Sequence, residues 1–295
     1  MTQPHAFLRT TRRCWRRTPG TALGAAAVAL LGAWILVGPA LCGEAPAPAT
    51  GPSAGAGAAV FPKGPAEMEK LAKSDPLQFL RTALEWYDVK VRDYTCRFLK
   101  VEKIEGELRK PETMRMKFRE APFSVYVKWI TDPSMNQEVI YVHGANKGMA
   151  VAHPSGILGA LIRKVNVVPD SKRALKYSRR PITNAGMGNM LRLIIPQCER
   201  AKANGDLKLT YEGVRYEGGR PSYVFKRVLP KKNDYPCDVL LIYIDQEYLL
   251  CVRTDAYEWD GSLLSHYSYT DLKVNPGLTD EDFSPDNREY AYRLF

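Results

Sequence analysis

Residues 114–129, MRMKFREAPFSVYVKW, restrict the fold more than any other stretch. Met114, Met116 and Phe118 alternate with Arg115, Lys117 and Arg119. After a short break, Phe123, Val125, Val127 and Trp129 alternate with Ser124, Tyr126 and Lys128. Successive side chains of a strand point to opposite faces, so each run has one apolar face. A turn at 119–122 folds the runs into a hairpin, with Phe118 opposite Phe123, Met116 opposite Val125 and Met114 opposite Val127. On the other face Lys117 then meets Ser124, and Arg115 meets Tyr126. A slip of one residue would send one strand's apolar set to the wrong side, so the alternation itself selects the face. The chain is thereby committed to an antiparallel sheet whose apolar side is either core or the wall of a ligand site.

The flanking sequence extends this sheet. YTCRFLKV (94–101) precedes the hairpin; NQEVIYV (136–142), a turn at HGANKG and GMAVAHP (148–154) follow it. Further on come LKLTYEGVRYEG, PSYVFKRVL, CDVLLIYID, YLLCVRTDAY and SLLSHYSYTDL, with Asp260-Gly261 as a hairpin signal. Such short connections require antiparallel neighbours, and no strand–helix–strand repeat is present. Two main helices interrupt the pattern. In SDPLQFLRTALEWYDVK, Ser74 or Asp75 caps, Pro76 suits the first turn, and Leu77, Leu80, Ala83, Leu84 and Tyr87 share a face. Met187, Met190, Leu191, Ile194, Ile195 and Cys198 form a second helical stripe, with Asn184 as cap, Gly205 at its end and Pro196 as a kink. The expected class is α+β and mostly antiparallel: a curled sheet or incomplete β-barrel of about nine to ten strands wrapped around two main helices.

The N-terminus is of another kind. RTTRRCWRRTPG is followed by TALGAAAVALLGAWILVGPALCG, and nothing between Arg17 and Glu44 is charged. Residues 1–42 read as a signal peptide or an N-terminal membrane anchor. The apolar run exceeds the ~7–15 residues of a cleaved signal and approaches the ~20 of a spanning helix, which favours an anchor. In either case the arginines place the N-terminus in the cytoplasm and the remainder outside it, in the periplasm or cell envelope. Residues 43–64 are an Ala/Pro/Gly-rich linker, and their formal G-x-S-x-G (Gly51–Gly55) lacks the strand and helix that a nucleophile elbow needs. Residues 65–295 form the folded domain.

Beyond position 60 there are 37 basic and 31 acidic residues, a mild excess of +6 that does not by itself indicate nucleic acid. The excess is concentrated in Arg163–Arg180, where Arg163, Lys164, Lys172, Arg173, Lys176, Arg179 and Arg180 accompany one acid, Asp170. An exported domain seldom meets nucleic acid, so these seven are read either as a solvated connection between sheet and helix or as contacts for anionic head groups or acidic glycans, on an anionic membrane surface or another envelope component. Cys96, Cys198, Cys237 and Cys251 lie in the domain without a CxxC spacing, which leaves their pairing open and argues for no metal site.

Two resemblances follow from these elements. Tyr94–Phe98, Phe118-Arg119-Glu120-Ala121-Pro122-Phe123-Ser124-Val125-Tyr126, Glu138–Val142 and Ser178–Thr183 resemble a bacterial family known only as domain of unknown function 1571, over most of residues 75–290. The hairpin at Met114–Trp129 and the stretch His266–Phe283, HYSYTDLKVNPGLTDEDF, are similar to the periplasmic lipoprotein carriers and outer-membrane lipoprotein receptors. That second resemblance implies an incomplete β-barrel around helices, with an apolar cavity for acyl chains. The expected partner is a lipid or an acylated protein. On this reading Met114, Met116, Phe118, Phe123, Val125, Val127 and Trp129, with Met187, Met190, Leu191 and Ile194 of the helix, face the ligand.

Catalytic chemistry has little to stand on. His153 pairs across strands with Glu138 if the turn centres on Ala145-Asn146, and His266 faces Asp255 if Asp260-Gly261 turns. No Ser or Cys is identifiably placed to use either histidine, and such pairs also stabilise sheets by ~0.2–1 kcal/mol. Gly186-Met187-Gly188 lacks the third glycine and the strand of a dinucleotide site, so no cofactor is expected. The chain reads as a non-enzymatic exported binding protein, with a tethered envelope scaffold or interaction module of filled core as the alternative.

Overall fold

The computed structural model describes residues 64–131, 136–232 and 234–292. The anchor or signal segment, all of the linker before Gly64, His5, Cys14 and Cys42 lie outside the described residues. In chain order the elements are α1 (Pro65–Ser74), α2 (Pro76–Lys90), β1 (Asp93–Ile104), β2 (Glu107–Leu108), β3 (Glu112–Arg119), β4 (Ser124–Thr131), β5 (Asn136–Val142), β6 (Ala150–Pro154), α3 (Gly156–Leu161), β7 (Val165–Val167), α4 (Lys172–Leu175), α5 (Met187–Ala203), β8 (Lys208–Glu217), β9 (Arg220–Val228), β10 (Val239–Asp245), β11 (Cys251–Tyr257) and β12 (Leu263–Val274).

The strands make one antiparallel sheet in the order β7-β6-β5-β4-β3-β1-β12-β11-β10-β9-β8, with β2 paired to β1 off this path. The sheet has 12 strands, more than the nine or ten expected, and the additions include β2 and β7, too short to leave a readable alternation. Its edges, β7 and β8, do not pair with each other, so the sheet curls without closing. The first and last long strands meet at its centre: β1 pairs with β12 from Tyr94↔Val274 to Glu102↔Ser265.

In the first hairpin the faces are as expected but the register is not. Phe118 lies opposite Val125, Met116 opposite Val127 and Met114 opposite Trp129, two residues along from the expected pairs. The connection takes four residues, Glu120–Phe123, because Arg119 pairs with Ser124. A shift of two preserves every face, since the side-chain period is two. The β11–β12 loop is likewise wider than a two-residue turn, with Tyr257 paired to Leu263 across a bulge.

The helices cover the concave face. Asp75 caps α2, accepting from the Gln78 amide at 2.9 Å. Leu77, Phe79, Leu80, Ala83 and Tyr87 are buried there, and Phe79 packs on the rings of Tyr223 and Phe225. In α5 the residues Met187, Leu191, Ile194, Ile195 and Cys198 are buried as their spacing predicts, and the helix runs through Pro196. Each such large apolar side chain contributes about 1.5–3 kcal/mol on full burial. The expected cap Asn184 belongs instead to a short 3₁₀ turn; Gly186 precedes the helix and the Tyr94 hydroxyl accepts from the Met187 amide at 3.0 Å. The two glycines are there for close approach. A Cβ on Gly186 would lie 2.5 Å from the Phe118 ring, and one on Gly188 would lie 2.3 Å from the Tyr87 ring. The convex face is covered by the segment after β12, where Phe283, Tyr290 and Tyr292 pack on Tyr126 and Ile140.

Candidate functional site

The concave face is only partly filled by the helices. Near the β3–β4 turn the apolar set is core: Phe118 stacks on Tyr94 with ring centroids 4.7 Å apart and meets Phe123 edge-on at 5.4 Å. Met187 and Leu191 are fully buried in the same interior. Further from the turn the same strands wall a cavity of about 470 Å³ between the sheet, α5 and the segment from Ala174 to Ala185. Met114, Met116, Val125, Val127 and Trp129 line it, and Met190 and Ile194 face it from α5. Of the eleven residues expected to face a ligand, Phe118, Phe123, Met187 and Leu191 do not line this space. Aromatic rings at the turn end reach the start of α5, whereas the methionines and valines beyond them face Met190 and Ile194 of that helix across the cavity. Val139, Ala150 and Ala152 continue the apolar wall across β5 and β6.

Polar residues also line the cavity, and the charged ones on β1 and β3 form a cluster. Lys100 on β1 pairs with Glu112 at 2.8 Å and Glu102 at 3.4 Å, and its Nζ donates to the Tyr177 carbonyl at 3.3 Å. Trp129 Nε1 donates to Glu112 Oε1 at 3.1 Å, and the Tyr267 hydroxyl donates to Glu102. Burial opposes the charge on Lys100, but the two carboxylates outweigh it and hold its pKa above the ordinary lysine value. The backbone amide of Arg179 donates to Glu102 at 3.2 Å and its guanidinium to the Lys103 carbonyl at 3.0 Å. These bonds fasten the 177–180 segment over the sheet as one wall of the cavity.

The seven basic residues do not act as one group. Arg179 and Arg180 line the cavity and are otherwise exposed, so they stand at its mouth. Lys164 pairs with Asp286 at 3.0 Å, and Arg163 is half-buried. Lys172, Arg173 and Lys176 are exposed on and beside α4, with Lys176 over the Tyr177 ring. Beside Arg163 and Lys164 the apolar side chains of Ile157 and Leu161 are 85% and 77% exposed.

Among the lining residues not anticipated from the sequence, one stands apart. Arg227 on β9 is 1% exposed and lines the cavity. Its signal was in the alternation Tyr223, Phe225, Arg227, which puts an arginine at the third inward position of a strand otherwise apolar on that side. A guanidinium Nη donates to Cys237 Sγ at 3.0 Å.

The two acid–histidine pairs lie elsewhere. Glu138↔His153 and Asp255↔His266 are cross-strand neighbours. Val139, Ala152, Ser265 and Tyr267 line the cavity, so their sequence neighbours Glu138, His153 and His266 point to the opposite face. There His153 Nε2 is 3.1 Å from the Gly159 carbonyl, and His266 Nδ1 is 2.5 Å from Asp255. Among the described residues no group of three or more His, Cys, Asp or Glu side chains is placed to hold a metal ion. Among them also, no helix is long and apolar enough to cross a membrane. Cys96, Cys198, Cys237 and Cys251 are free and buried.

Residues 91–292 match a family described as "Protein of unknown function (DUF1571)". No curated protein matches the chain. Among solved structures it is similar to MucB, at 12% identity and a TM-score of 0.44, over 72% of this chain and 63% of that one. It is also similar to the Mycobacterium tuberculosis lipoprotein LppX, at 14% identity and a TM-score of 0.41, over 70% and 99% of the two chains. A LolA superfamily protein from Nitrosomonas europaea is similar at 10% identity and a TM-score of 0.28, over 70% and 98%. The chain thus spans less than two thirds of the MucB chain that it matches.

Proposed function

The chain belongs to the DUF1571 family of proteins of unknown function, and within that family we propose that it is a non-enzymatic exported binding protein holding a lipid or lipoprotein acyl chain in its half-barrel. The observation that carries this reading is the cavity of about 470 Å³, which lies within the ~300–1,000 Å³ of small-molecule sites. Its wall has the adaptable, mostly apolar composition that suits a flexible chain: Met114, Met116 and Met190 beside Val125, Val127 and Val139. Burial of apolar surface at ~25 cal/mol per Å² is the driving force. The alternative of a scaffold with a filled core makes no use of this space.

The reading places the domain, residues 65–295, in the periplasm or cell envelope, joined through the 43–64 linker to the N-terminal segment. Contact with an anionic membrane surface is part of it. Exposed Ile157 and Leu161 beside Arg163 and Lys164 combine the apolar and basic character that such a surface takes.

The test is occupancy. The purified full chain is stripped of lipid and titrated with a fluorescent fatty acid, and lipid extracted from untreated protein is identified by mass spectrometry. Saturable uptake and a co-purified lipid are expected. No uptake, with Met116→Trp filling the cavity and changing nothing, would sink the reading.

A further inference from the structure

The geometry points to a ligand with an anionic group, a carboxylate or a phosphate on an apolar chain, that seats on the Arg227 guanidinium inside the cavity. This rests on the reading of the cavity as a ligand site and deepens it by naming the ligand's chemistry.

Arg227 is a buried cation without a counter-charge. It is 1% exposed, and among the described residues it enters no ion pair and its Nε has no hydrogen-bond partner. Its hydrogen-bond partners are the thiols of Cys237 and Cys198, weak acceptors. Burial pushes the Cys198 and Cys237 thiols up despite the nearby guanidinium, so neither supplies a thiolate to balance it. A guanidinium cannot escape this situation by losing its proton, and an uncompensated buried charge is far costlier than a thiol hydrogen bond repays. Buried arginines are accordingly paired, and the planar fork of the side chain matches a carboxylate or phosphate with two parallel bonds.

The carboxylates of the cavity cannot fill this role. Glu102, Ser265, Ala256, Leu240 and Arg227 occupy one continuous cross-strand row over β1, β12, β11, β10 and β9. Four strand spacings of about 4.8 Å put Glu102 roughly 19 Å from Arg227 along the sheet. Glu102 and Glu112 are engaged at their own end by Lys100, Tyr267 and Trp129. The lining therefore sets four cations, Lys100, Arg179, Arg180 and Arg227, against two carboxylates. Arg180, which also acts on the Cys237 thiol, extends the positive field from the mouth towards Arg227. The apolar wall of β3 to β6 lies on the other side of β1 and takes the chain.

The experiment compares three probes of equal chain length on the delipidated full chain: palmitate, hexadecyl phosphate and hexadecanol, each below its aggregation limit. Binding of either acid at least about tenfold tighter than the alcohol is expected. Whichever acid binds tighter identifies the source as a carboxylate or a phosphate. Arg227→Met keeps the apolar stem and removes the charge; it should abolish the preference while leaving hexadecanol affinity within about twofold. Equal binding of acids and alcohol by the unaltered protein overturns this inference and leaves the lipid-binding reading standing. Binding of none of the three overturns both. The comparison on the unaltered protein decides the matter even if Arg227→Met does not fold. If the variant folds, a parallel loss of acid and alcohol binding marks Arg227 as structural and also overturns the inference.

Discussion

Trp129 on β4 donates its indole N–H to Glu112 on β3 at 3.1 Å, and both side chains line the cavity. Of the domain's other tryptophans, Trp86 and Trp259 do not line it. Trp129 is thus a built-in reporter. Addition of palmitate should change the intrinsic fluorescence, and Trp129→Phe should remove most of that change while uptake of a fluorescent fatty acid persists. A full signal in the variant would mean that the ligand sits elsewhere.

Gly186 has φ +110, and a Cβ there would press on the Phe118 ring. Gly186→Ala should cost about 2–5 kcal/mol by overpacking and backbone strain together. Gly277, at φ +82, has nothing within 4 Å of a built Cβ. Gly277→Ala carries the backbone cost alone and should be the milder change. Urea denaturation of the two variants separates the contributions.

Burial pushes the Cys251 thiol up to about 12 and raises those of Cys96, Cys198 and Cys237. Thiols that stay protonated and inaccessible are poor nucleophiles. At pH 8 a thiol-specific reagent should leave Cys96, Cys198 and Cys251, which do not line the cavity, unmodified in the native protein and modify them after denaturation, as read by peptide mass spectrometry. Rapid labelling of Cys237 in the native state would show that the Arg227 end of the cavity opens to solvent.

Asp255 is subject to burial, which raises its pKa, but hydrogen bonds from His266 and Arg253 outweigh this and hold the carboxyl below its ordinary value of 3.8. A folded-state pKa below the unfolded one stabilises the fold above the unfolded value and stops doing so as pH falls through the folded value. Stability measured by urea should therefore decline as the pH drops below 3.8. Asp255→Asn should flatten that part of the profile. An unchanged slope would assign the acid sensitivity to other carboxylates, Asp282 beside Lys117 among them.

The sequence by itself determined the faces. Alternation at 114–129 named the inward side chains of β3 and β4 correctly although the pairing was two residues off, because a period of two carries face but not register. The helical stripe Met187–Cys198 was equally legible, and the α2 cap was narrowed to Ser74 or Asp75, since both are set by spacing within a few residues. Nothing local could tell which part of the apolar face is filled. Phe118 and Met114 stand on one face of one strand, yet one is packed under Gly186 and the other borders the cavity, because α5 begins over the first and not over the second. The same holds for Arg227. In the sequence it is one cation among many; only the tertiary structure leaves it buried and, among the described residues, without an ion pair. Periodicity is a property of neighbours along the chain, whereas vacancy and unbalanced charge depend on what distant segments bring to the same place.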